Sequence, residues 1–285
     1  MIYVSTGGER SRTAMETAAQ YCRHGIECVE LSGGVYTPNY EEDLLKLSRT
    51  AHLQVHNYFP PPKVPFVFNL ASVDSDISRQ SVAHVRNAIR IAVLIGRPVY
   101  SFHAGFRINP AVSELGNVLQ KRKLLDRKTA LNIFGERLTD LAEEARREGV
   151  SLLVENNVIN PSNFNTYGED PLLLTHPEEI ASFMKQAPAN VALLLDVAHL
   201  KVSANTLQFD MISAHQKLIK WIKAYHLSDN DGTADTNELV TEKSWFWGYL
   251  IRGLDYYSLE VYREPISGLI QQRALAAEML SRTHP

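Results

Sequence analysis

Cysteine is nearly absent: Cys22 and Cys28 are the only two in 285 residues. So small a supply excludes a disulfide framework, and both read as core or helix-face thiols suited to a reducing, cytoplasmic setting. Long apolar runs are missing as well. No stretch of roughly 18 consecutive apolar residues occurs, so no membrane span is expected. The opening MIYVSTGGER has neither a basic n-region nor a long apolar h-region, and no signal peptide is expected. Positive charge is not in excess. Lys and Arg number 29 against 32 Asp and Glu, a formal net charge of -3, which leaves no general attraction to nucleic acid or to an anionic membrane. No GxGxxG follows the first apolar run, which removes the usual dinucleotide-binding reading. Linkers, low-complexity segments and composition breaks are missing too, so one domain spanning 1–285 is expected.

What is present is an alternation of period. Eight short apolar runs occur at 2–5, 26–32, 53–59, 99–105, 151–156, 191–197, 222–228 and 258–262. Between them lie helix-like stretches, among them 12–22, 77–94, 128–147, 177–185, 209–221, 243–254 and 268–280. In 128–147, Leu131, Phe134, Leu138 and Leu141 recur at three- and four-residue spacing, as an amphipathic helix requires. Strands apolar on both faces, alternating with helices, predict a parallel sheet covered by helices. Eight such units favour an α/β architecture closed as a (β/α)8 TIM barrel. The long connections 105–127, which holds QKRK, and 230–242 are candidate lids, though QKRK also reads as a solvated turn.

Four of the runs carry an acidic or imidazole residue near the C-terminal end: Glu155 in SLLVENN, Asp196 in VALLLDVAH, His226 in IKAYHLSD and Glu260 in YYSLEVYRE. In this fold those ends share one bowl. A buried carboxylate must be paired, protonated or metal-bound. One such residue reads as a structural ion pair; four at equivalent strand ends read as oxygen and nitrogen ligands for one divalent ion, Mn, Zn, Co or Mg. His199 lies three residues past Asp196 and can face the same bowl. His56 and His103 also end apolar runs, either touching substrate or metal or packing in the barrel mouth. Asn156 and Asp231, just past their strands, read as substrate hydrogen-bonders or as loop turns, and Glu30 in VELS is a weaker candidate.

The pieces VELS (29–32), FHAG (102–105), LLVENN (152–157), LLLDVAH (193–199), YHLSD (225–229) and LEVY (259–262), in that order, resemble the xylose isomerase-like superfamily of barrels. That superfamily includes sugar isomerases and epimerases, and endonucleases that cut at abasic DNA sites. The resemblance implies a metal held by Glu155, Asp196, His226 and Glu260. It makes Glu155 and Glu260 the acid/base pair, and gives His199 the task of steadying substrate oxygens. The expected function is a divalent-metal-dependent isomerase or epimerase of a sugar, sugar phosphate or polyol. Removing a proton beside a carbonyl needs a base, and the enediolate that results needs positive charge nearby.

Three alternatives stay open: a metal-dependent phosphodiesterase related to the abasic-site endonucleases, a lyase or dehydratase on a sugar-like substrate, and a barrel that binds a sugar without turning it over. His56, His103 and His199 match positions that serve the nuclease metals, and Asp235-Thr236-Asn237 resembles the Asp-x-His that completes them. Here the His is Asn, a poorer ligand, and the GxG that usually follows is replaced by NELVTEKSWFW. Trp245, Phe246 and Trp247 read as helix core or as a wall stacking on a sugar ring. The expected partner is a small carbohydrate, with no membrane and no nucleic acid; exposed barrel faces leave a homodimer open.

Overall fold

The computed structural model describes residues 1–282. The strands are β1 (Ile2–Ser5), β2 (Cys28–Ser32), β3 (His52–His56), β4 (Val99–His103), β5 (Ser151–Glu155), β6 (Val191–Asp196), β7 (Ile222–Leu227) and β8 (Tyr257–Leu259). They pair in parallel in chain order, and β8 closes on β1 through Ile2↔Tyr257, Tyr3↔Ser258 and Val4↔Leu259. The helices are α1 (Ala14–Arg23), α2 (Tyr40–Leu47), α3 (Ser75–Leu94), α4 (Arg127–Arg147), α5 (Pro161–Tyr167), α6 (Pro177–Met184), α7 (Val197–Leu207), α8 (Met211–Leu218) and α9 (Ile266–Ser281). The molecule is a TIM barrel, as the alternation of strand and helix signals required. Among the described residues, no helix is long and apolar enough to cross a membrane.

Side-chain alternation along each strand sorts residues between two cores. In β6, Leu193 and Leu195 join the large core between sheet and helices, whereas Ala192 and Leu194 point into the barrel. The same parity sends Leu153 inward from β5 and Ala224 inward from β7, where they pack with Tyr3, Leu194 and Tyr256 as a plug. Two residues further along β5, β6 and β7, the inward positions are Glu155, Asp196 and His226, each fully buried. Register sets them side by side: His103 opposite Glu155, and Asp196 opposite His226. The plug is therefore apolar at one end of the barrel, and the charged layer sits at the end where the strands finish.

The 128–147 stripe forms α4, where Asp126 caps by accepting from the Thr129 amide at 2.9 Å and Phe134, Leu138 and Leu141 are buried. The helix expected over 243–254 does not form; the segment runs through turns. Its large apolar residues, Trp245, Phe246 and Trp247, are contiguous, and no single helix face buries three neighbours at once. Local bonds hold the turns instead: the Ser244 hydroxyl donates to Asp229 at 2.7 Å, and the Trp247 indole donates to the Thr241 carbonyl at 2.6 Å. Phe246 and Trp247 belong to the outer core and present no wall to a ligand.

Loops on the charged end are pinned through Asn69. Its side-chain oxygen accepts from Ala71 N and Phe106 N, and its amide donates to the carbonyls of Phe106 and Ile108. Gly105 lies against this knot. A Cβ there would sit 2.6 Å from Asn69 Oδ1 and 2.9 Å from Ala71 Cβ. Gly105→Ala is expected to cost about 1–3 kcal/mol, since the obstructing atoms cannot rotate away. A urea titration showing an unchanged midpoint would remove Asn69 as a rigid anchor.

Candidate functional site

β6 ends and α7 begins at one residue. Asp196 Oδ1 accepts from the His199 amide at 2.7 Å, so Asp196 is the N-cap of α7. Its other oxygen, Oδ2, is buried and has no hydrogen-bond partner among the described residues. It faces His226 Nδ1 at 3.9 Å and His199 Nε2 at 3.7 Å. His226 Nδ1 also lies 3.2 Å from Glu155 Oε1 and 3.5 Å from Glu260 Oε2. Ligand atoms of Glu155, Asp196, His226 and Glu260 all fall within 4.8 Å of one another.

Glu155 reaches in two directions. Oε1 faces His226 Nδ1 and, at 3.5 Å, His199 Nδ1. Oε2 faces His56 Nε2 at 3.5 Å and His103 Nδ1 at 3.4 Å, with no hydrogen bond among the described residues. His56, His103 and Glu155 thus form a second donor group that shares Glu155 with the first. His103 is the rim member, its side chain 28% exposed; His56, His199 and His226 are buried.

The charges are strongly interdependent. Burial opposes ionisation of Glu155, but the His103 and His226 rings outweigh it and hold the carboxyl well below its ordinary range. Burial likewise opposes charge on His226, and Glu30, Glu260 and Glu155 overcome it, raising the ring well above the ordinary imidazole value. Asp196 goes the other way: burial first, then repulsion from Glu155 and Asp235, pushes it up to about 7. A divalent ion fits this set. Glu155, Asp196, His226 and Glu260 would hold it, its positive charge would balance the buried carboxylates, and the unpartnered Asp196 Oδ2 faces this set.

His199 donates from Nδ1 to the carbonyl of Asn156 at 2.9 Å, because a carbonyl can only accept. Its Nε2 therefore turns toward Asp235, 3.2 Å away. Asn156 and Asp231, expected as substrate hydrogen-bonders or as loop turns, have these partners in the structure. Asn156 brackets the backbone of Asp196, accepting from its amide at 2.8 Å and donating to its carbonyl at 3.1 Å, which ties β5 to β6. Asp231 is exposed and accepts from Thr233 N and Oγ1 within its own turn. Asp235, four residues on, occupies the place beside His199. Asn237 takes a left-handed backbone, φ 51°, and its carbonyl accepts from Tyr262 N.

Sequence reasoning did not find several members of the site. The Ser5 hydroxyl at the end of β1 and the Tyr262 hydroxyl donate to Glu260 Oε1 at 3.4 and 3.3 Å. Extending the strand-end rule to hydroxyl groups would have found Ser5. Tyr256 donates to Glu30 Oε2 at 2.5 Å, and His226 Nε2 donates to the same oxygen at 2.9 Å. Tyr256 precedes β8, at the opposite end of the strand from the bowl, where no such rule looks.

A protein family described as the xylose isomerase-like TIM barrel matches residues 17–258. No curated protein matches the sequence. Among solved structures, a D-tagatose 3-epimerase-like protein aligns at a TM-score of 0.71 with 17% identity, covering 98% of this chain and 96% of its own. D-psicose 3-epimerase from Clostridium cellulolyticum H10, solved with D-tagatose, aligns at 0.63 with 15% identity over 98% and 97% of the two chains. A xylose isomerase-like TIM barrel protein from Mycobacterium smegmatis, in complex with magnesium, aligns at 0.68 with 13% identity over 98% and 96%. At such identities structural likeness speaks for the fold alone, and the family assignment rests on the sequence match: the chain belongs to the xylose isomerase-like TIM barrel family.

Proposed function

We propose that the protein is a divalent-metal-dependent isomerase or epimerase of a small sugar, free or phosphorylated. The observation that carries this reading is the convergence of Glu155 and Glu260, from strands three places apart in the ring, on one imidazole nitrogen beside an unpartnered Asp196 oxygen. A cation held by Glu155, Asp196, His226 and Glu260 would supply positive charge to substrate oxygens. One glutamate takes a proton from a carbon beside the carbonyl, and the other returns one from its own side, which inverts the centre. Return to the neighbouring carbon moves the carbonyl instead. His199 turns Nε2 toward the bowl, in place to donate to a substrate oxygen. Similar folds solved as epimerases of ketoses support the choice of substrate class. The test is a screen of D-tagatose, D-psicose, D-fructose and L-ribulose with Mn²⁺, read as new sugar product and as deuterium uptake from D₂O. Absence of both across free and phosphorylated sugars would end this reading.

One observation favours a second reading. His56, His103 and Glu155 could hold a further cation, and two ions about 3.5–4 Å apart suit phosphodiester hydrolysis. The net charge of -3 and Asn237 in place of a histidine weigh against it. A duplex bearing an abasic site decides the matter: no cleavage with Zn²⁺ or Mn²⁺ is expected, and cleavage would displace the sugar reading.

A further inference from the structure

Beneath the bowl, His226 of the first donor group and His56 of the second are joined by a continuous chain of buried polar groups. His56 Nδ1 lies 2.9 Å from Ser101 Oγ, Ser101 Oγ lies 3.0 Å from the Tyr256 hydroxyl, and Tyr256 and His226 Nε2 both reach Glu30 Oε2. Glu155 closes the ring above, facing His226 Nδ1 with one oxygen and His56 Nε2 with the other. All six residues are at most 2% exposed, so water does not compete for these bonds.

The direction of every bond follows from its one obligate acceptor. Glu30 as a carboxylate has no proton to give, so Tyr256 and His226 Nε2 must both donate to it. Having donated, the Tyr256 oxygen accepts from Ser101. Having donated its single proton, Ser101 must accept from His56 Nδ1. Each histidine therefore bears a proton on the nitrogen turned away from the bowl. Burial of the chain at low dielectric makes a reversed or broken link costly.

We infer that Glu30 is a positioning residue that fixes both His56 and His226, the first through Ser101 and Tyr256 and the second directly. It leaves His56 Nε2 and His226 Nδ1 as the nitrogens presented to a cation. Carboxylates behind metal-bound histidines commonly orient one ring; here one carboxylate orients two, on the different strands β3 and β7. The consequence for metal affinity rests on the cation reading above. The assignment of the protons does not.

The test uses long-range ¹H–¹⁵N correlation spectra of histidine-labelled protein, metal-free and with Zn²⁺, with His56→Gln and His226→Gln for assignment. His56 is expected with its proton on Nδ1, and His226 with a proton on Nε2 in both states. Tyr256→Phe frees Ser101 to donate to His56, so His56 should move to the Nε2–H form while His226 keeps its Nε2 proton. A wild-type His56 protonated on Nε2, or a His56 indifferent to Tyr256→Phe, overturns the inference. In parallel, Glu30→Gln should weaken Zn²⁺ binding about 10–100-fold in a chelator competition, without changing the number of ions bound at saturation. Loss of a whole equivalent at saturation would make Glu30 a ligand and refute its positioning role. If the wild type takes up no Zn²⁺, the cation reading fails and the spectra still decide the proton chain.

Discussion

Glu155→Gln is expected to lower sugar turnover by about 10²–10⁴-fold, the usual loss when a positioned acid/base group is removed. The substitution keeps the size of the side chain and removes its charge. Glu155 is held ionised in its buried place by His103 and His226, so it is in the form that accepts a proton. Turnover alone would not separate a base from a ligand, since Gln also weakens the cation. Isotope exchange does. With two bases on opposite faces, each epimer gives its proton to one glutamate. Glu155→Gln should stop deuterium exchange from one epimer and spare it in the other, and Glu260→Gln should show the reverse. Equal loss for both epimers would make Glu155 and Glu260 ligands only, and full turnover in Glu155→Gln would remove the acid/base role altogether.

The second large effect concerns the ion itself. The wild type is expected to bind about one equivalent of Mn, Zn or Co, and the Asp196→Ala, Glu260→Ala double variant none, by elemental analysis. Saturating metal should stabilise the wild type by about 2.7 kcal/mol at a hundred times Kd, visible as a higher Tm, and leave the double variant unmoved. Affinity should also depend on pH. The raised His226 ring carries its extra proton above the ordinary value of 6.5. A cation must displace that proton, so binding strengthens as pH rises and weakens as it falls, with about one proton released per ion. A flat pH profile would take His226 out of the ligand set. Two or three equivalents would favour the phosphodiesterase reading.

Much of the barrel was legible because its strands are buried on both faces. The eight apolar runs map onto β1 to β8 with ends shifted by a few residues. Glu155, Asp196 and His226 stood out because a charge two residues past an inward Leu or Ala breaks the apolar pattern at the same point of three strands. Loops were harder. Periodicity says nothing about which side of a turn faces a site: Asp231 is exposed in its own turn, whereas Asp235 lies beside His199. The 243–254 segment misled because its composition suits a helix while its three adjacent aromatic residues do not. The proton chain was hidden for another reason. Ser101 is an ordinary strand residue by sequence and Tyr256 falls just before a strand, and their meaning arises only when β2, β4, β7 and the approach to β8 meet inside a closed ring.

Asp196 divides its two oxygens between architecture and the bowl: one starts α7, the other points at His226 and His199. Asn caps a helix as well as Asp does, so Asp196→Asn would preserve the start of α7 while removing the charge. One nucleotide change suffices for that exchange. On the proposed cation reading, a gene duplicate could lose its chemistry in that single step while its scaffold stays folded. Retirement of the chemistry and survival of the scaffold are separable at this one position.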